Sequence, residues 1–256
     1  MTKQNSNLLY DSWIMFKRCW RISLRNPEAL TMAVVTPIFL MLLFGAVFGN
    51  IADVGAYNYI DFIIPGIILQ AVAQATQYTA INISADMTKG VVDRFRSMPI
   101  AKSAVLMGHA GASIVKNMIT TAVIIATAFA IGFRPQGGVF DWLIIAGILI
   151  LSITAITGIA VLCGLLSKTA ESAGGLMFPL FILPFVSSGF APTDTMHASI
   201  RWFAEYQPMT PIINSVRALM LDVPAGNDLW LALVWCVGIT IVAFVVAVQV
   251  YKRKLK

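Results

Sequence analysis

Six uncharged or nearly uncharged apolar runs constrain this 256-residue chain more than any other feature: 29–49, 62–83, 112–133, 142–166, 173–191 and 229–251. Each is close to the ~20 residues that a helix needs to cross a hydrocarbon core about 30 Å thick. The runs are continuously apolar rather than alternating, so they predict helices and not barrel strands. Lys116 is the one charge inside them, which is how the chain comes to be 12% charged and 58% hydrophobic. Soluble domains carry about 25% charge, so a soluble enzyme is excluded, and three cysteines are too few for a disulfide framework. The expectation is an all-α integral membrane protein with six transmembrane helices, forming one transmembrane domain over residues 1–256.

Charge placement orients the spans, because basic loops stay cytoplasmic. Lys3, Lys17, Arg18, Arg21, Arg25, Lys89, Arg94, Arg96, Lys102, Lys168, Lys252, Arg253, Lys254 and Lys256 fall on one side, against Arg134, Arg201 and Arg217 on the other. Both termini are expected in the cytoplasm of a multi-pass cell-membrane protein, with residues 252–256 as a basic tail. The net charge of +6 is then an orientation signal, and no nucleic-acid partner is needed to explain it. Residues 1–28 contain no apolar core of a signal peptide. They read as an amphipathic interfacial helix, with Leu9, Trp13, Phe16, Trp20 and Leu24 on one face and Asp11, Lys17, Arg18, Arg21 and Arg25 on the opposite arc. A plain membrane anchor fits the same pattern.

Active-site motifs are missing. The nucleotide spacing G-x-x-x-x-G-K-[ST] does not occur; 164–169 offers a Lys-Thr pair without the glycine before the lysine. His109 and His197 fall on opposite sides, Cys19, Cys163 and Cys236 stand singly, and no G-x-S-x-G elbow is present. No catalytic residue, metal site or cofactor site is expected. Lys116 lies near the end of its run, where snorkelling to headgroups or contact with a substrate would account for it.

The connection between the second and third runs, 86–100, is short, charged and helix-like, and Pro99 ends it. Asp86 with Lys89 and Asp93 with Arg96 are spaced for i,i+3 pairing, while Val91, Val92, Phe95 and Met98 supply an apolar patch. The stretch K-G-V-V-D-R-F-R-S-M-P-I at 89–100 resembles the cytoplasmic coupling helix of ABC-2 type transporter permeases, close to the daunorubicin-resistance group of drug exporters. The amphipathic first helix, the six spans, S-G-F-A-P at 188–192, and Q-P-M-T-P at 207–211 followed by 214–217 extend the resemblance over nearly the whole chain.

That resemblance implies a separate ATPase subunit carrying ATP and Mg, with two permeases, identical or different, and two ATPases in the working complex. It implies that Asp86, Lys89, Gly90, Asp93, Arg94, Phe95, Arg96 and Pro99 contact the ATPase, with 18–25 nearby. It also implies that 192–228 holds two short helices that re-enter the outer leaflet and cap the exit, through Pro192, Glu205, Pro208, Pro211 and Arg217. Arg217 has Asp222 or Glu205 as a possible partner within that cap.

Gln70, Gln74, Gln77, Tyr78 and Asn82 fall at i, i+4, i+7, i+8 and i+12, one polar stripe on the second span. Lipid cannot satisfy those amides, so the stripe either bonds helices together or lines a substrate path. Gly45 and Gly49 form a G-x-x-x-G packing motif, within the chain or across a dimer, and Pro179 and Pro184 are expected to bend the fifth span. Together these features point to the membrane subunit of an ATP-driven exporter of drug-like or antibiotic amphiphiles, bacterial and in contact with membrane lipids. Export of a lipid or lipid-linked glycan is the alternative, with an intramembrane enzyme or a membrane scaffold more remote.

Overall fold

The computed structural model describes residues 8–49, 58–89 and 103–254. Among them the chain forms nine α-helices and no strand. Helix α1 (Leu8–Leu24) is followed within two residues by α2 (Pro27–Phe48). The break is built into the sequence: Asn26 Oδ1 accepts the Ala29 amide at 3.2 Å, and Pro27 occupies the first turn, where its missing N–H leaves nothing unpaired.

The centre of the molecule is α3 (Tyr59–Thr88), around which α2, α4 (Ala104–Ile131), α5 (Val139–Leu166) and α6 (Ala170–Ile182) pack. Ile63, Ile64, Ile67, Ile68, Leu69 and Val72 are sealed from solvent on every side of α3, as expected where a stretch of helix is apolar all round. Truncating any of these isoleucines to alanine would cost about 2–5 kcal/mol, since neighbouring helices cannot fully close the cavity.

By contrast α2 and the last helix, α9 (Asp228–Lys254), lie at the periphery. They expose Met32, Val35, Phe39 and Leu42, and Val234, Ile241, Val242 and Phe244 respectively. Continuous apolar faces of this kind suit lipid, not water.

Five helices, α2, α3, α4, α5 and α9, are long and apolar enough to cross a membrane. The fifth run of the sequence folds differently: α6 passes into a 3₁₀ turn at Leu183–Val186, so its apolar helical stretch is the shorter Ala170–Val186. Pro179 and Pro184 explain the shortening, because each removes a backbone donor and crowds the preceding turn. Beyond it the chain leaves the helix and Gly189 backs onto Gly66 of α3, so close that a Cβ on Gly66 would lie 2.6 Å from the Gly189 carbonyl oxygen.

Two short helices follow, α7 (Ala198–Tyr206) and α8 (Met209–Met220). Helix α7 exposes Trp202 and Tyr206, whose rings lie 5.9 Å apart, a pairing suited to a membrane–water boundary. Helix α8 is instead buried against α3, α5 and α9, through Ile212, Ile213, Val216 and Met220. Pro211 stands in its first turn, where a proline costs no internal bond.

Candidate functional site

The base of the bundle is tied by three side chains from three helices. Arg18 of α1 grips the Asp86 carboxylate of α3 with both guanidinium nitrogens, at 2.7 and 2.9 Å. His109 of α4 places Nε2 3.0 Å from Asp86 Oδ2. An ionised carboxylate can only accept, so the imidazole donates from Nε2. The planar fork of arginine matches the carboxylate in a way lysine cannot. Asp86 holds the Arg18 guanidinium above its usual pKa, chiefly through the shared hydrogen bonds.

Sequence periodicity placed Arg18 on a solvated arc, but α1 has a third face. Met15 and Cys19 are buried against α4, and Gly108 makes that approach possible: a Cβ there would lie 2.8 Å from the Met15 carbonyl carbon and 2.9 Å from the Phe16 nitrogen. The expected apolar face stays outside, with Leu9, Trp13 and Leu24 exposed and Trp13, Phe16 and Trp20 stacked at 5.1 and 6.3 Å. Asp86 therefore bonds Arg18 and His109, and among the described residues no ion pair joins it to Lys89. Lys89 is exposed and closes α3, its amide donating to the Ala85 carbonyl at 3.0 Å. Gly90, Asp93, Arg94, Phe95, Arg96 and Pro99 lie outside the described residues.

Higher in the bundle the glutamine stripe meets three neighbouring helices. Gln74 Nε2 reaches Thr36 Oγ1 of α2 at 3.5 Å, and Gln77 Nε2 donates to the Gly174 carbonyl of α6 at 2.9 Å. Gln70 donates to Gln74 at 3.5 Å, while its own Oε1 is buried with no partner among the described residues. Tyr78 and Asn82 border a cavity of about 30 Å³ shared with Lys116. Lys116 does not snorkel: its Nζ turns inward to the Ala75 carbonyl of α3 at 3.0 Å and lies 5.8 Å from the centre of the Tyr78 ring. The carbonyl and the ring face offer the ammonium more than the headgroups would at that depth.

A second polar thread escaped the sequence reading. Asn117 Nδ2 donates to Thr76 Oγ1 of α3 at 3.2 Å and to the Ser113 carbonyl at 2.9 Å, and Ser113 meets Thr157 of α5 at 3.3 Å. These residues are single small polar groups in apolar runs, and only their convergence distinguishes them.

At the opposite end Arg217 is the hub. It pairs with neither Asp222 nor Glu205; Glu205 is taken by Arg201 on the exposed α7, 2.7 Å away. Arg217 instead reaches inward, donating to the carbonyls of Phe62 at 3.0 Å and of Ser188, and to Asn214 Oδ1 at 3.1 Å, with its guanidinium 3.7 Å from the Phe62 ring centre. Asn214 continues to Asp228 at 2.9 Å. One side chain thus joins α8 to the start of α3 and the 187–191 segment. Pro192 leads into a short 3₁₀ turn, and Pro208 opens α8 beside Gln207, which donates to the Leu183 and Val186 carbonyls at 3.2 Å. Of the glycine pair, Gly45 packs on Ile60 of α3 within the chain, its would-be Cβ 3.2 Å from the Ile60 side chain, whereas Gly49 among the described residues abuts its own helix.

These features define a class: a polytopic helical membrane protein whose longest helix is buried and polar-striped, and pinned at both ends by arginine-centred networks. The chain belongs to the ABC-2 type transporter family, whose model matches residues 10–221. It is 27% identical over 89% of its length to the daunorubicin resistance ABC transporter permease protein DrrB1 of Streptomyces coeruleorubidus, covering 81% of that protein. It is 26% identical over 86% of its length to the probable doxorubicin resistance ABC transporter permease protein DrrC of Mycobacterium tuberculosis (strain CDC 1551 / Oshkosh), covering 80% of it. It is also 24% identical over 67% of its length to the inner membrane transport permease YadH of Escherichia coli (strain K12), covering 68%. The chain is accordingly an ABC-2 type membrane permease.

Proposed function

We propose that this permease exports drug-like or antibiotic amphiphiles, driven by ATP and Mg bound on a separate ATPase subunit, in a complex of two permeases and two ATPases with both termini in the cytoplasm. The observation that carries the reading is the Arg18–Asp86–His109 cluster at the base of α3. Asp86 opens the 86–99 segment that the reading assigns to the ATPase. A push on that segment would reach α3 through its own helix, and the cluster would make α1 and α4 move with it. The movement would shift an inward-open and outward-open equilibrium, to the extent that nucleotide binding favours one state over the other.

The relatives' names refer to daunorubicin and doxorubicin resistance, and the interior supports a related substrate class. The stripe from Gln70 to Asn82 is polar and uncharged, with a buried carbonyl at Gln70 that has no partner among the described residues, which suits a bulky, largely apolar compound better than an anionic polymer. The test is reconstitution in inverted vesicles. Uptake of a fluorescent anthracycline should require ATP, this chain and an ATPase subunit together. Hydrolysis by this chain alone, or uptake without the ATPase, would overturn the reading.

A further inference from the structure

A groove of about 310 Å³ runs along the surface between α4, α5 and α9, lined by residues that include Leu106, Ala110, Thr154, Thr157, Ala243 and Val248. It is separate from the glutamine stripe and from both arginine networks. Among the described residues no charged side chain lines it, and its three threonine hydroxyls are bonded to other groups. Thr154 donates to the Ile150 carbonyl and Thr240 to the Cys236 carbonyl, each at 2.7 Å, and Thr157 bonds Ser113. The walls therefore present methyl and methylene groups, a lining for hydrocarbon.

Its extent and its end identify the hydrocarbon. On α4 the lining runs from Ser103 to Ile114, about 16 Å at 1.5 Å per residue, which matches the ~15 Å depth of one bilayer leaflet. On α9 it runs from Thr240 to Val248, and Lys252 lies four residues beyond Val248, hence on the same helix face one turn further. Lys252, Arg253 and Lys254 are all exposed at that end. Ser103, which precedes the first turn of α4, lines the groove at that same end. A slot one leaflet deep with apolar walls, opening at the end of a helix that carries three exposed cations, is complementary to a lipid with an anionic headgroup. The same cations disfavour a cationic amphiphile at this end of the groove.

We infer that this groove is a binding site for an acyl chain of an anionic phospholipid, whose phosphate is held at the Lys252–Lys254 end. The inference requires the chain to be in a membrane but does not depend on export or on its substrate.

The test uses the purified full chain in detergent, titrated with phosphatidylglycerol or phosphatidylcholine of the same acyl length and read by native mass spectrometry. One phosphatidylglycerol should be retained at about tenfold lower concentration than phosphatidylcholine, since each basic residue near an anionic headgroup adds attraction. The triple variant K252Q/R253Q/K254Q changes only exposed positions and should bring the two lipids within about twofold. Ala110→Phe fills the groove and should remove the retained lipid, whereas Val35→Phe on the exposed face of α2 should not. Equal retention of both lipids by the unaltered chain overturns the inference, as does an undiminished preference in the triple variant. Retention by a folded Ala110→Phe protein also overturns it, and so does a dimer that Ala110→Phe dissociates, which would assign the groove to a second copy.

Discussion

Asp86→Ala would remove the carboxylate that Arg18 and His109 share. The carboxylate takes two guanidinium bonds, at 2.7 and 2.9 Å, and one from the imidazole at 3.0 Å. Breaking a fully buried ion pair by removing one partner costs about 3–5 kcal/mol. Here Arg18 keeps 28% of its side-chain exposure and Asp86 15%, so water recovers part of the loss and about 2–4 kcal/mol is expected. A double-mutant cycle separates this pair from its surroundings: Arg18→Ala, Asp86→Ala and the double variant, each measured by unfolding in mixed detergent micelles. Because the two groups touch, the cycle should return a coupling of roughly 1–3 kcal/mol. Asp86→Asn should retain only part of the coupling, since it keeps one acceptor oxygen and loses the charge. If the two single effects add to within about 0.5 kcal/mol, the cluster does not hold α1 to α3, and the proposed transmission through it fails.

Other positions give independent checks. Gly108→Leu should drive α1 off α4, seen as new protease cleavage within 8–24 and altered fluorescence of Trp13 and Trp20; an unchanged digest would mean that the close approach at Met15 is not formed. Arg217→Lys should lower stability by about 1–3 kcal/mol, because an ammonium cannot reproduce a fork bonded to several carbonyls and stacked on Phe62, while Glu205→Gln on the exposed pair should stay within about 0.5 kcal/mol. Equal effects of those two changes in thermal unfolding would contradict the hub role of Arg217. Changing Gln70 and Gln74 to Leu should alter which compounds are exported with a stability loss below about 2 kcal/mol, and an identical export profile in vesicles would assign the stripe to helix packing alone.

Much of this protein was legible along the chain, because lipid imposes its rule on every residue of a span. The runs at 29–49, 62–83, 112–133, 142–166 and 229–251 each became a helix with ends displaced by eight residues or fewer, since a backbone in hydrocarbon must satisfy its own hydrogen bonds. The fifth run, 173–191, was legible as apolar and as proline-bent. That the chain beyond it brings Gly189 against Gly66 was not legible, because that is a contact across the fold.

Only the tertiary structure decided which polar groups meet. Arg18, Asp86 and His109 are far apart in sequence, and periodicity put Arg18 on a solvated face because it sees one helix at a time. Asp86 and Lys89 have good i,i+3 spacing, yet the bidentate arginine and the buried imidazole win the carboxylate. Arg217 had two acidic candidates within reach of sequence reasoning and took backbone carbonyls and an aromatic face instead, for burial removes it from both. A residue's polarity is written in the sequence, but its partner is set by which helices lie side by side, and that is fixed by the packing of the whole bundle around α3.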